Sequence, residues 1–190
     1  MLKVIIFDCF GVIYPQASGV YLDKRKELFQ NHTEEIGELN LRIDLGEISR
    51  AEYFVGLEKV TGVSAKEIQD EVDRQLRVDQ GLIDVIKKLK AKYKIGMLSN
   101  AGKEEIDIIY RDKIDSLFDA LAVSYEVKSV KPNAEIFLVC LDRLGVKAEE
   151  ALLVDDSMVN IKAAQDLGLQ TLYYPKFGNM PKDLTELARF

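Results

Sequence analysis

The chain of 190 residues holds a single histidine, His32, and only two cysteines, Cys9 and Cys140. One histidine argues against a Ser-His-Asp triad and excludes a multi-histidine metal site. His32 itself lies in the polar stretch QNHTEE and reads as solvated. The cysteines are far apart with no CxxC spacing, which excludes a thiolate metal site and predicts a reduced, cytoplasmic protein without disulfides. The 26 basic residues form no long run and the net charge is −6, so neither nucleic acid nor an anionic membrane is the expected partner. No apolar run reaches membrane-spanning length. The N-terminal MLKVIIFDCFGVIY is interrupted by Lys3 and Asp8, carries no signal-peptide cleavage pattern, and reads as a core strand. Internal repeats and low-complexity segments are also missing.

What is present is an ordinary globular composition, 47% hydrophobic and 31% charged, in a length that allows one Rossmann-sized core plus a modest insertion. Five short apolar runs predict strands of a mostly parallel sheet: Leu2–Phe7, Ile95–Leu98, Ala120–Ser124, Ala151–Val154 and Gln170–Tyr173. Between the later runs the apolar spacing turns helical. Leu82, Val85, Ile86 and Leu89 form one stripe, and Ile106, Ile109 and Tyr110 a second. Ile136, Phe137, Cys140, Leu141 and Leu144 precede Gly145, and Ile161, Ala164 and Leu167 precede Gly168. This alternation predicts an α/β fold, a Rossmann-like open parallel sheet with helices on both faces. Residues 16–80 break the rhythm with helical periodicity alone. Ser49–Glu52 and Ser64–Glu67 both fit a capping box, and Thr61–Gly62 separates two helices. The expected organisation is a catalytic core of residues 1–15 and 81–190, with a small α-helical cap, 16–80, inserted after the first strand.

Ligands of an open parallel sheet bind at the carboxyl ends of its strands. Asp8 follows the first run, Ser99 and Asn100 the second, and Asp155 and Asp156 the fourth. Lys131 comes shortly after the third, with Pro132 expected at a helix's first position. Converging carboxylates repel one another unless a cation intervenes, and oxygen ligands favour Mg²⁺. A carboxylate so placed can attack phosphorus and carry a covalent aspartyl-phosphate, with Lys131 and Ser99 holding phosphoryl oxygens. Backbone amides near Asn100 and at the following helix starts would add donors for the anion. Each residue also has a plainer reading: Ser99–Asn100 as turn chemistry, Lys131 as a solvated lysine, Asp156 and Ser157 as a helix cap. Cys9 points away from Asp8 by strand alternation and reads as packing, as does Cys140 on its apolar stripe.

In order, Phe7-Asp8-Cys9-Phe10-Gly11-Val12-Ile13, Leu98-Ser99-Asn100, Lys131-Pro132 and Val154-Asp155-Asp156-Ser157 with Asn160 resemble the four motifs of the haloacid dehalogenase (HAD) superfamily. The resemblance covers nearly the whole chain and is densest in LLVDDSMVNIKAAQDLGLQTL. It implies Asp8 as nucleophile and metal ligand, the Phe10 carbonyl and Asp156 as further Mg²⁺ ligands, and Asp155 beside them or acting through water. It further implies Ser99, Asn100 and Lys131 as phosphoryl contacts, and a small phosphorylated metabolite such as a sugar phosphate as substrate. One departure stands out. Most phosphatases of the family carry a second aspartate two residues after the nucleophile, and here that residue is Phe10. General acid–base help is worth about 10²–10⁴ in rate, so its loss matters. Three readings stay open: a phosphatase that moves protons another way, a 2-haloacid dehalogenase in which Asp8 attacks carbon, or a non-catalytic binding protein. Arg42, Arg50, Arg74 and Arg77 fit either substrate contacts or surface charge.

Overall fold

The computed structural model describes residues 1–16 and 30–188; residues 17–29 of the expected cap lie outside the described residues. Five strands, β1 (Val4–Phe7), β2 (Lys94–Ser99), β3 (Ala120–Val123), β4 (Ala151–Asp155) and β5 (Gln170–Tyr173), form one sheet in the order β3-β2-β1-β4-β5. All four pairings are parallel. The runs VIIF and ALLVD are buried at every position because β1 and β4 lie inside the sheet with helices on both faces. Side-chain alternation divides the core. Ile5, Phe7, Met97 and Val154 face one way, among Leu82, Ile86 and Ile109. Val4, Ile6, Leu98 and Leu153 face the other, among Phe137, Cys140 and Ala164.

The helices are α1 (Thr33–Asp44), α2 (Arg50–Thr61), α3 (Ala65–Gln75), α4 (Gln80–Leu89), α5 (Lys103–Arg111), α6 (Ser124–Val127), α7 (Ala134–Leu144), α8 (Met158–Asp166) and α9 (Lys182–Leu187). Helices α1 to α3 bury a cluster of their own around Ile36, Ile43, Phe54, Leu57 and Ile68. The capping box at Ser49 forms in full, with the Glu52 amide donating to Ser49 Oγ and the Ser49 amide to Glu52 Oε2. The expected box at Ser64 does not form. The start of α3 is served instead by Glu58 of α2, whose carboxylate accepts from the Ala65 amide at 2.8 Å. Gly62 ends α2 with φ +71°, a left-handed conformation that glycine reaches without a Cβ clash.

Three further expectations change. Tyr110 is exposed while Ile108 is buried: at about 100° per residue the buried arc of α5 runs from Ile106 through Ile109 to Ile108, and Tyr110 lies past its Ile106 edge. Pro132 is not a first helical residue: it follows a cis peptide bond, Asn133 takes the cap position and α7 starts at Ala134. Ser124 begins α6 rather than ending β3. Among the described residues, no helix is long and apolar enough to cross a membrane.

Candidate active site

The strand order reverses at β1, so the carboxyl ends of β1 and β4 flank the sheet's switch point, where a crevice opens. Asp8 stands there because the ladder continues one residue past β1: its amide donates to the Val154 carbonyl at 2.9 Å. Its Oδ1 accepts the Cys9 amide at 2.6 Å, and its Oδ2 lies 2.7 Å from Lys131 Nζ. The same ammonium lies 2.8 Å from Asp155 Oδ2. Asp155 is fully occupied. Oδ1 accepts from the Ser157 amide and from Asn160 Nδ2, and Oδ2 takes Lys131 and a second approach of that Nδ2. Asn160, in the first turn of α8, thus locks the carboxylate that in turn locks the lysine.

Asn100 braces the lysine from the other side. Its Oδ1 accepts the Lys131 amide at 2.7 Å and its Nδ2 donates to the Lys131 carbonyl at 3.0 Å. The side chain expected to contact substrate thus also braces the backbone of the residue that carries the charge, and it lines the cavity over these strand ends. The Ala101 amide is likewise engaged, by Ser124 Oγ at 2.9 Å. Ser99 is fully buried at the end of β2, and its Oγ has no hydrogen-bond partner among the described residues. Gly11 brings the loop after Asp8 against Asp156. It has φ +99°, and a Cβ there would lie 2.2 Å from Asp156 Oδ2, so no other residue fits.

Three carboxylates therefore meet one ammonium in a buried place. Asp8, Asp155 and Asp156 each offer an oxygen, and these oxygens lie within 4.8 Å of one another. Burial pushes the Asp8 carboxyl well above its ordinary range; Lys131 opposes the shift, and Asp155 and Asp156 add to it. Asp156 is raised by burial and by Asp155. For Lys131, burial favours the neutral amine, yet Asp8 and Asp155 outweigh it and hold the ammonium above its usual pKa. Asp156 Oδ1 is buried without a hydrogen-bond partner among the described residues. Excess negative charge, an orphaned carboxylate oxygen and an all-oxygen donor set together fit a hard divalent cation.

A cavity of about 670 Å³ lies over this cluster, between the sheet edge and helices α1 to α3. Asp8, Phe10, Asn100, Lys131 and Asp156 form its floor, while Asp44, Arg50 and Phe54 belong to its upper wall. Ser99 and Asp155 do not line it. Of the four arginines singled out in the sequence, Arg50 alone reaches the cavity wall. It pairs with Asp73 and stacks 4.9 Å from the Phe54 ring centre. Cys9 and Cys140 are buried free thiols in the two sheet-face clusters. No motif marked Asp44 or Glu105, which also line the cavity. Both lie on helices remote in sequence from Asp8, and only packing reveals them.

Known proteins match this arrangement. The haloacid dehalogenase-like hydrolase family model matches residues 2–168. Pyrophosphatase PpaX of Bacillus cereus (strain AH820) is 29% identical over 104 residues, 54% of this chain and 48% of that protein. The phosphorylated carbohydrates phosphatase of Thermotoga maritima is 28% identical over 100 residues, 52% of this chain and 46% of that protein. The matched stretch spans about half the length of these relatives. The HAD family enzyme bt-2542 of Bacteroides thetaiotaomicron, solved in complex with magnesium and inorganic phosphate, superposes with a TM-score of 0.77 at 28% identity, covering 97% of this chain and 99% of that one. The motifs, the parallel sheet and the family match over most of the chain agree: this protein belongs to the haloacid dehalogenase-like hydrolases.

Proposed function

We propose that this hydrolase is a Mg²⁺-dependent phosphatase acting on a small phosphomonoester, with Asp8 as the nucleophile. The observation that carries the reading is the buried oxygen cluster of Asp8, Asp155 and Asp156, balanced by a single ammonium and holding one orphaned oxygen. The phosphatase relatives and the magnesium and phosphate held by bt-2542 support the same chemistry. Asp8, Asp156 and the Phe10 carbonyl would hold the ion, with Asp155 beside them as a charge that fixes Lys131. When bound, Mg²⁺ offsets the charge of the carboxylates and of the phosphoryl oxygens.

A carboxylate oxygen of Asp8 attacks phosphorus, the bond to the leaving oxygen breaks, and an aspartyl-phosphate forms. Lys131 holds a phosphoryl oxygen and, being pinned by Asp155 and Asn100, does so without reorganising. Ser99 Oγ, buried and unpartnered, supplies a further donor. Water then attacks the same phosphorus and frees Asp8. Helices α1 to α3 of the expected cap cover the cavity over the ester, and a cavity of about 670 Å³ suits a metabolite the size of a sugar phosphate. Attack on carbon, as in a haloacid dehalogenase, is the reading Phe10 favours, but it leaves the Asp156 oxygen without a task.

The test is a panel of sugar phosphates, glycerol phosphates, nucleotides and p-nitrophenyl phosphate, assayed with Mg²⁺ and with EDTA. Phosphate release should need Mg²⁺ and fall at least about 10³-fold in Asp8→Asn, since removing a covalent nucleophile removes the reaction path. Equal rates with Mg²⁺ and EDTA, or release of chloride from 2-chloropropionate instead of phosphate from any ester, overturns it.

A further inference from the structure

The loss of an acid at position 10 raises a specific question: which group gives a proton to the leaving oxygen? The upper wall of the cavity offers one. Asp44, the last residue of α1, lines the same cavity as Asp8, Phe10 and Lys131. No described residue donates a hydrogen bond to its carboxyl group, and its surroundings act on it through burial and charge alone.

Its position is fixed by its backbone. The Asp44 carbonyl accepts from Ser124 Oγ at 2.5 Å, and that hydroxyl in turn accepts the Ala101 amide, two residues past Ser99. The next carbonyl, of Leu45, accepts from Lys128 Nζ at 2.7 Å. The preceding one, of Ile43, lies 3.0 Å from where a Cβ on Gly102 would stand. Three successive peptide units at the end of α1 are thus held against the loops that follow β2 and β3. The helical insertion is tied here to the sheet's carboxyl edge, and Asp44 is the carboxyl group it carries there.

We propose that Asp44 is the acid–base residue of this enzyme, replacing from the insertion the aspartate that the first motif lacks. The proposal rests on the phosphatase reading above. In the first half, Asp8 bonds to phosphorus while the P–O bond to the leaving group breaks, and the Asp44 carboxyl proton goes to the departing oxygen, leaving a neutral alcohol and the Asp44 carboxylate. In the second, that carboxylate takes a proton from water as the water oxygen bonds to phosphorus. The bond from phosphorus to Asp8 breaks, its electron pair returns to the Asp8 carboxylate, and inorganic phosphate and protonated Asp44 result. One water is consumed, and both aspartates end as they began.

The environment suits both roles. Burial first, then Glu105 on α5, raise the Asp44 pKa to about 7 against the opposing charge of Lys131. Glu105 is buried and itself shifted upward. From α2, Tyr53 faces this pair and is raised by burial and by both carboxyls; its hydroxyl is held by Asn40 Oδ1 at 2.7 Å. The Lys128 ammonium of the α6 end bonds the Leu45 carbonyl beside it. A group that titrates near neutrality is present in useful amounts as both acid and base. The sign follows: leaving-group protonation is fast below about pH 7 and falls as the pH rises through that value.

The test separates leaving groups. p-Nitrophenolate leaves without a proton, whereas a sugar alkoxide needs one. In wild type, the single-turnover rate on the best sugar phosphate of the panel should fall above about pH 7, and the rate on p-nitrophenyl phosphate should not. In Asp44→Asn, sugar-phosphate turnover should drop about 10²-fold or more. The p-nitrophenolate burst should persist, followed by slow turnover and accumulation of phosphorylated enzyme. Asp44→Glu should recover part of the sugar-phosphate rate. Identical pH profiles for the two esters in wild type overturn the proposal even if the variants do not fold, and so does an Asp44→Asn enzyme that slows both bursts equally or neither. Failure of wild type to release phosphate from any ester overturns the phosphatase reading instead, and this proposal with it.

Discussion

The sheet edge and the helical insertion build opposite walls of one cavity by different means. On the sheet side most charges are tightly clamped, with Asp156 Oδ1 the exception. Asp8, Asp155 and Lys131 are all buried, and each charge is clamped by at least one residue of a neighbouring strand end or loop. Among the described residues the insertion rests on a smaller cluster in which every member keeps 1% to 9% of its surface in water, whereas the sheet-side cluster, though Phe118 and Leu152 keep 8%, has a centre around Ile5, Phe7 and Val154 that keeps none. Its described ties to the sheet edge include polar ones, such as Ser124 to Asp44, Lys128 to Leu45, and the Arg50 amide to Glu104 at 2.6 Å. The rigid wall can hold charges that repel one another. The softer wall can adjust to a ligand where its ties are exposed, as at Lys128 to Leu45 and Arg50 to Glu104, because such bonds exchange with water at little net cost, whereas the part-buried Ser124 bond keeps Asp44 in place.

That contrast can be broken or sharpened by substitution. The largest effect is expected at Lys131. Lys131→Met leaves Asp8 and Asp155 without their ammonium, and removing one partner of a buried ion pair costs about 3–5 kcal/mol. The loss, read by urea unfolding, should shrink on lowering the pH, as the carboxyls take up protons, and on adding Mg²⁺. Unchanged stability at neutral pH would mean the cluster is wetter than its burial implies. Next come two phenylalanines of similar exposure, Phe137 at 1% and Phe54 at 3%. Phe137→Ala should cost about 3–5 kcal/mol, the usual range for a close-packed core. Phe54→Ala should cost less in stability because its cluster can relax and hydrate, yet raise KM more because its ring lines the cavity and carries Arg50. Equal losses in stability would make insertion and sheet a single cooperative unit. The smallest effect tests the caps. Ser49→Ala should cost about 1 kcal/mol in thermal unfolding, and Ser64→Ala should be nearly neutral, because only the first makes its capping bonds.

Most of the sheet was legible in the sequence because a strand buried on both faces must be apolar throughout, and VIIF and ALLVD are. The residues after those strands were legible for a related reason: a parallel sheet collects its strand ends at one edge, so Asp8, Ser99 and Asp155–Asp156 need no long-range information to be brought near one another. Identical local signals with different outcomes were not legible. Ser49 and Ser64 both precede a glutamate three residues on, but Glu58 reached the start of one helix first. Tyr110 and Ile108 differ by which face of α5 meets the core, and the pairing of the Asn100 carboxamide with the Lys131 backbone joins two loops that no local pattern connects.

The sequence by itself determined the order of the strands in the chain and the identity of the charged cluster, which follow from local pattern and strand periodicity, while the resemblance of the first motif to the family's marked the missing acid at Phe10. Only the tertiary structure decided what stands opposite that cluster. Asp44 lies on a helix end with no motif around it, and it became a candidate because three backbone contacts hold that helix end against the sheet's edge, a matter of packing between segments far apart in the chain.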